Sequence, residues 1–251
     1  MRARRWGIGL AVGWIMLGAG MAAEAHMRDY LLTQPYFTAG KGEFEVELHN
    51  DFNFVEADDD DTYASKHQVE LEYGITDHIQ LGYYEVYTWD REKDWERDAF
   101  KIELKGRFAQ AGQWPVDVAL YTEYKNPDGH RDIRSDVLEN KLILSKDFGR
   151  VNVAGNFVFE KELNSGEPWE FEYTAGVSYA VTPTTRIGLE IQESLGDSGE
   201  FLQQLEEREI LLVPGIYANI TPHVRVLAGP AFGLTRGSDD FQLRSIVEVE
   251  F

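Results

Sequence analysis

Apolar and polar residues alternate one by one along most of the chain after residue 42, and the alternation is most regular at the chain's end. Apolar positions there are Phe241, Leu243, Val247, Val249 and Phe251, and polar ones are Gln242, Arg244, Glu248 and Glu250. A period of two is that of a β-strand with one apolar and one charged face. Such a strand suits a β-barrel with lipid outside and water inside, although the last strand of a soluble sandwich could also show it.

The same period recurs in earlier stretches and predicts about twelve strands. It is clearest where Phe100, Ile102 and Leu104 alternate with charged neighbours. In the third strand the alternation meets Glu85, which indicates either a bulge or a strand that has left the membrane. In the tenth strand, Pro214 cannot donate a hydrogen bond to a ladder, and it predicts a bulge.

Two kinds of connection alternate along these strands. Connections that are tight or uncharged lie at 74–78, 110–115, 148–150, 182–185 and 221–223. Polar and mostly longer connections lie at 56–61, 90–98, 126–135, 163–168, 194–207 and 235–240. Short turns on one side, long loops on the other and an even strand number are typical of outer-membrane barrels. The chain is therefore predicted to be all-β, a transmembrane antiparallel up-and-down β-barrel of about twelve strands over residues 43–251.

The start of the chain indicates export. Arg2, Arg4 and Arg5 precede an apolar run over residues 6–21, and the small residues Ala23 and Ala25 follow. This order is typical of a secretory signal peptide, and the run is short for a membrane-spanning helix. We predict a cleaved signal peptide over residues 1–25. Residues 26–42 then form a periplasmic N-terminal leader, which either hangs in the periplasm or tucks into the barrel.

Composition excludes several classes of function. The chain has 44 acidic and 24 basic residues and a net charge of −20, so nucleic acid is an unsuitable partner. It has no cysteine, which excludes disulfides and thiolate chemistry. Its six histidines show no metal-ligand spacing, and the run from Asp58 to Asp61 lacks the spacing of a calcium loop. We predict no metal site and no cofactor.

The inward-facing positions of the predicted strands carry charge. The candidate pore-lining residues are Glu45, Glu47, Glu70, Glu72, Lys101, Glu103, Lys105, Arg107 and Glu248. If the last strand closes on the first, an acidic wall and a basic wall would face each other and orient solutes across a polar pore. Salt bridges between strands that fill a narrow barrel are the alternative.

An enzyme on the outer surface is a rival class, because Ser65 and His67 lie two apart near a loop and so share one face of a strand. The sequence shows no third residue to orient the histidine. We therefore predict that the protein is not an enzyme.

Two resemblances narrow this picture. The last strand resembles the C-terminal targeting strand of bacterial outer-membrane barrels, which implies the barrel-assembly machinery as a partner. The segments 34–38 with 40–47, 73–81 and 179–185 resemble the leader and turns of putative transporters in the MetA-pathway phenol-degradation family. That resemblance implies a channel and no catalytic residues.

The predicted function is a porin-like channel in the Gram-negative outer membrane, in contact with lipid and lipopolysaccharide. It would pass small solutes passively, including hydrophobic or aromatic compounds if the family resemblance applies. A lipid-modifying enzyme and a closed structural barrel are the alternatives.

Overall fold

The computed structural model describes residues 29–54, 64–89, 95–128, 135–163, 166–199 and 207–251. Within these ranges, twelve antiparallel strands form a closed up-and-down barrel in which β12 pairs with β1. The strands are β1 (Phe44–Asn53), β2 (Ser65–Thr76), β3 (Ile79–Trp89), β4 (Trp95–Arg107), β5 (Asp117–Pro127), β6 (Val137–Phe148), β7 (Val151–Glu162), β8 (Glu170–Thr182), β9 (Thr185–Asp197), β10 (Ile210–Thr221), β11 (Val224–Gly233) and β12 (Phe241–Glu250). The predicted fold class is confirmed. The predicted signal peptide and the run from Asp58 to Asp61 lie outside the described residues.

The outer face of the barrel is apolar. Large hydrophobic side chains such as Leu48, Leu81, Leu104 and Val177 are exposed there, while the alternate residues of the same strands point to the interior and are mostly buried or half-buried. A soluble protein rarely exposes a continuous apolar surface of this extent. The outer face thus has the chemistry of a lipid-facing wall, as the strand periodicity predicts. Among the residues that the structure describes, no helix is long and apolar enough to cross a membrane.

The two irregular strands keep their phase. Glu85 points outward with its β3 neighbours and forms an ion pair with Arg97 of β4, Nε to Oε2, at 2.7 Å. The register between β3 and β4 shifts nearby, between the pairs Val86–Ala99 and Tyr87–Arg97. The bulge predicted at Pro214 is absent, because β10 keeps one register with β9 through this residue. The β10–β11 pairing is interrupted between Leu212 and Ile216, and the constant register on both sides places Pro214 opposite Pro230, where neither residue has an N–H to donate.

The connections segregate to the two ends of the barrel. At the end of the barrel where β1 begins, the connections cover residues 77–78, 108–116, 149–150, 183–184 and 222–223. We name this end the turn rim. The opposite end, the loop rim, joins β1 to β2 and β11 to β12. Predicted short and long connections therefore lie at different rims.

The leader enters the barrel. Residues 29–42 precede β1, and of the two arrangements left open by the sequence the structure shows the one in which the leader tucks inside. Three side chains of the leader, those of Tyr30, Thr33 and Tyr36, are at most 2% exposed. They contact wall residues close to the turn rim, such as Asn152 and Ala109. The leader thus lies inside the lumen and contacts the wall near the turn rim.

Candidate functional site: the barrel lumen

All nine predicted pore-lining residues face the interior. Six of them are glutamates: Glu248 on β12, Glu45 and Glu47 on β1, Glu70 and Glu72 on β2, and Glu103 on β4. The other three, Lys101, Lys105 and Arg107, follow the same inward phase of β4. Only their position is established by this result, and their role in permeation remains a prediction.

The strand registers align carboxylates in a continuous row. Pairing places Glu250 beside Glu45, and Glu45 beside Glu72. After Gly82 of β3, the row continues through Glu103, Glu123, Glu139, Glu160 and Glu170. Because strands in a barrel tilt against its axis, a row of paired residues climbs around the wall. This row, which we name the glutamate spiral, begins near the turn rim at Glu250 and ends near the loop rim at Glu170.

Positive charges flank the glutamate spiral rather than forming a wall of their own. Lys101 lies 3.1 Å from Glu123, Nζ to Oε1, and Lys141 lies 2.9 Å from Glu139. Arg225 of β11 pairs with Glu248. The predicted basic wall facing an acidic wall is therefore not formed. Glu103 of β4 and Glu123 of β5 lie among the lysines that would have made the basic wall. The Lys101–Glu123 pair between β4 and β5 is an interstrand salt bridge of the kind that the alternative predicts, whereas Lys141 and Glu139 lie on the same strand, β6.

Glu190 of β9 holds the leader to the wall. Its carboxylate accepts hydrogen bonds from three consecutive backbone N–H groups, those of Leu31 at 2.6 Å, Leu32 at 2.8 Å and Thr33 at 2.7 Å. The Tyr217 hydroxyl donates a fourth at 3.0 Å. These four hydrogen bonds fix the backbone of residues 31–33 against β9 and β10.

Further polar contacts continue along the leader. Asn156 of β7 accepts a hydrogen bond from Gln34 N at 2.6 Å and donates one to Gln34 O at 3.1 Å. Nearer the turn rim, Gln80 Oε1 accepts from Ala39 N at 2.8 Å. The backbone of the leader is not in a sheet, so these wall side chains provide the partners that buried peptide groups require.

Two apolar patches inside the wall receive leader side chains. Leu31 packs into a cluster made by Leu211, Val213, Tyr217, Leu227, Ala231 and Ile246 of β10 to β12. Tyr36 packs against Ala119, Tyr121 and Ile143 of β5 and β6. The lumen is therefore not polar throughout. Apolar side chains are stable at these inward positions because the leader buries them.

The leader and the wall approach each other closely at Gly176 and Gly74. A Cβ at Gly176 would lie 2.4 Å from the Tyr30 ring, and one at Gly74 would lie 1.8 Å from the Gly40 carbonyl oxygen. A larger residue at either position would push the leader away. Docking of the leader therefore depends on the absence of a side chain at these points of the wall.

The first described residue of the leader is buried and charged. Asp29 Oδ2 lies 3.2 Å from Arg186 Nε and accepts a hydrogen bond from Ser178 Oγ at 3.3 Å. Burial raises the pKa of Asp29 to about 6, and the Arg186 guanidinium only partly opposes this shift. Protonation of Asp29 therefore favours the docked leader.

A small cavity remains between the leader and the acidic part of the wall. Its volume is about 30 Å³, and Phe37, Thr38, Glu72, Lys105 and Arg225 are among the residues that line it. This volume holds on the order of one or two waters. In the neighbouring wall, carboxylate and imidazole atoms of Glu47, His49 and Glu70, of Glu45, Glu47 and Glu72, and of Glu70, Glu72 and Glu103 lie within 4.8 Å of one another. A cation could be held there by oxygen ligands, although Lys105 and Arg225 already bring positive charge to the same cavity.

Sequence reasoning missed the residues that bind the leader. Glu190, Asn156 and Gln80 occupy inward positions of regular strands, and their alternation identifies the face but not a partner. Leu211 and Leu227 could have indicated the docked leader, because apolar residues at inward positions of a barrel need another segment to cover them.

The fold is similar to that of solved outer-membrane barrels. The KdgM porin matches with a TM-score of 0.57 and 8% identity, covering 82% of this chain and 99% of that one. An outer membrane channel from Pseudomonas putida F1 matches with a TM-score of 0.63 and 11% identity, covering 87% of this chain and all, 100%, of that one. The NanC porin matches with a TM-score of 0.52 and 11% identity, covering 82% and 98%. At these identities the likeness establishes the fold.

No protein-family model matches the chain, and no curated protein matches it. The narrower resemblance to the phenol-degradation transporters thus stays a prediction.

Proposed function

We propose that the protein is an outer-membrane channel for passive passage of small solutes. The observation that carries the proposal is a closed twelve-strand barrel whose outer face is apolar and whose inner face carries the continuous glutamate spiral. An apolar exterior around a charged interior is the arrangement of a protein that keeps a water-accessible path inside a membrane. The similar solved structures are porins and a channel, which supports the same role.

The proposed location rests on both ends of the chain. A cleaved signal peptide over residues 1–25 would deliver the chain to the periplasm, and the aromatic C-terminal strand would present it to the barrel-assembly machinery. The barrel would then contact outer-membrane lipid and lipopolysaccharide through its apolar face. In this orientation the turn rim faces the periplasm and the loop rim faces outward.

The leader would limit conduction from the periplasmic side. It lies inside the lumen and is held by Glu190, Asn156 and Gln80. Solutes of appreciable size would pass when the leader leaves these contacts. A closed structural barrel remains the competing proposal, and it is supported by the same docked leader.

The nature of the solute follows from the lining. The excess of carboxylates over paired cations along the spiral favours cations over anions. Passage of aromatic solutes is the finer proposal, supported by the family resemblance and by the luminal rings of Tyr84 and Tyr121, which lie near Lys101 and Lys141.

Single-channel recording in planar bilayers tests the proposal. The mature protein and a variant that lacks residues 26–41 would be refolded and compared, with heat-modifiable migration on gels as the check of folding. We expect small or rare openings for the mature protein and several-fold larger steady conductance for the variant. Silence of both folded proteins would contradict the channel and favour the closed structural barrel.

A further inference from the structure

Three side chains on the outer face form a hydrogen-bonded chain that is independent of the lumen. His67 Nε2 lies 3.0 Å from Ser65 Oγ, and His67 Nδ1 lies 2.8 Å from Asn50 Oδ1. Ser65 and His67 are two apart on β2 and share its outer face, and Asn50 is the residue of β1 that pairs directly with His67. Directly opposed residues of antiparallel strands have Cβ atoms about 5 Å apart, so the register brings the amide to the ring.

The contacts of Asn50 set the direction of the hydrogen bonds. Its Nδ2 faces two acceptors, Leu48 O and Ser245 Oγ, each at 3.5 Å, which leaves Oδ1 toward His67. Because an amide oxygen only accepts, His67 Nδ1 carries the proton of the neutral ring. Nε2 then has a free lone pair and accepts from the Ser65 hydroxyl. This is the arrangement in which histidine acts as a general base toward a serine nucleophile.

The position of the three residues indicates the substrate. Ser65 is the first residue of β2, at the loop rim, and it pairs with Phe52 of β1 and Trp89 of β3. The His67 ring also packs against Phe52 and Trp95, with centroid distances of 5.5 and 4.8 Å. An outward site among aromatic residues at the edge of an apolar wall meets lipid near its ester linkages, where acyl chains join the polar headgroup.

We propose that Ser65, His67 and Asn50 form an acyl-ester hydrolase site on the outer face, with long-chain lipid esters as substrates. Ser65 Oγ attacks the ester carbonyl carbon while its proton passes to His67 Nε2. The acyl–oxygen bond then breaks, and His67 returns the proton to the departing alcohol. Water, deprotonated by His67, cleaves the acyl-serine and Ser65 regains its proton. The net reaction consumes one water and yields one carboxylic acid and one alcohol.

Ser65 is 4% exposed, so the neighbouring side chains must move aside before an ester reaches the hydroxyl. The first measurement is therefore covalent labelling of the full mature protein, folded in detergent, with hexadecylsulfonyl fluoride. Displacement of fluoride by Ser65 Oγ leaves a sulfonyl-serine whose position peptide mass spectrometry identifies. We expect labelling at Ser65. Folded wild-type protein that stays unlabelled at Ser65 and hydrolyses no ester overturns the proposal.

The second measurement is fatty-acid release from mixed micelles that contain either phosphatidylethanolamine or lipopolysaccharide. Release from one lipid and not the other identifies the source of the ester, and release from either supports the site. Ser65→Ala should lower the rate by about 10³-fold or more. Ser194→Ala on β9 and His78→Gln at the turn rim are matched controls and should retain the wild-type rate. Release that persists in Ser65→Ala overturns the proposal.

Asn50 is a positioning residue in this site, because it acts on the substrate only through His67. Asn50→Ala should lower the rate by about 10-fold or more, and Asn50→Asp should restore most of it. A carboxylate at this position stabilises the imidazolium, so the acidic limb of the kcat/KM profile should move to higher pH in Asn50→Asp. A purely structural contact would give neither rescue nor this shift. Heat-modifiable migration confirms that each variant is folded.

Discussion

Glu190 is the residue on which the position of the leader most depends. Its carboxylate accepts hydrogen bonds from three consecutive backbone N–H groups of the leader. Hydrogen bonds to a charged group contribute about 1.5–3 kcal/mol each, although they are not additive. One wall side chain therefore controls a large part of the docking free energy.

Replacing Glu190 with alanine should release the leader. We expect leader docking to weaken by about 3–5 kcal/mol, because two buried N–H groups and one partly buried N–H group lose a charged acceptor. Single-channel conductance should rise toward that of the variant without residues 26–41. Glu193→Ala is the matched control, since Glu193 lies on the same strand and pairs with Arg208 instead of the leader. Equal conductance of Glu190→Ala and wild type would show that the carboxylate does not hold the leader.

Asp29 should make the leader sensitive to pH. Its pKa rises from 3.8 to about 6 in the docked state, so docking is favoured below about pH 4 and loses this contribution as the pH rises through about 6. A shift of about two units corresponds to at most about 3 kcal/mol. Open probability in bilayers should therefore be greater at pH 7.5 than at pH 4.5.

Asp29→Asn tests the source of that pH dependence. Asparagine cannot ionise, so the difference in open probability between pH 4.5 and 7.5 should shrink in this variant. A pH response of unchanged size would assign the effect to other groups.

At the scale of the strand, the alternation of outward and inward residues decides what each substitution costs. Leu104 lies in the outward phase of β4 and is 46% exposed, while Ile220 lies in the outward phase of β10 beside the turn rim and is 63% exposed. A charge on the lipid face is costly at mid-membrane and much less so at the interface. Depth along the strand is therefore as important as the face.

Leu104→Arg should lower the free energy of unfolding in lipid by about 2–4 kcal/mol, and Ile220→Arg by about 0–1 kcal/mol. Denaturant titration of the barrel in phospholipid vesicles measures both, with tryptophan fluorescence as the signal. The pair is matched, because each variant introduces the same side chain on an outward position. Equal costs would mean that the outer face does not contact lipid as assigned.

At the scale of the whole molecule, the strand registers convert twelve separate faces into the glutamate spiral. Like charges that lie directly opposite destabilise a sheet, and several steps of the spiral are of this kind. Lys101, Lys141 and Arg225 offset part of this repulsion, because they pair with Glu123, Glu139 and Glu250 of the spiral. The remaining negative potential is a property of the closed barrel and is carried by no single strand.

Removing charge from the spiral should reduce cation selectivity. Glu160→Gln with Glu170→Gln alters two adjacent members near the loop rim. The reversal potential in a potassium chloride gradient should move toward zero, because fewer carboxylates attract potassium. Glu85→Gln on the outer face is the matched control and should leave the reversal potential unchanged. A larger cation selectivity in the double variant would contradict the assigned role.

Most of the architecture could be predicted from sequence because it follows from local periodicity. The number of strands, their faces and the two kinds of connection each depend on residues that are close in the chain. The irregular positions within strands were harder to predict. The outward position of Glu85 is understandable once its ion pair with Arg97 on the neighbouring strand is known. Pro214 likewise needed no bulge once it lay opposite Pro230.

The candidate sites were only partly predictable for the same reason. Ser65 and His67 were evident as a same-face pair, but Asn50 joins them through the β1–β2 register. The contacts of Glu190 with Leu31 and Thr33 join residues more than 150 positions apart. A pattern along the chain contains no information about such a distance, so these groupings appeared only in the folded barrel.

The sequence by itself determined that the chain forms an antiparallel barrel with an apolar outside and a charged inside, because a period of two assigns every strand residue to a face. Only the tertiary structure decided which charges are neighbours, where the leader lies and which residues complete the outer-face cluster. Those features depend on register and closure, which set the contacts between distant residues through the hydrogen-bonded pairing of whole strands.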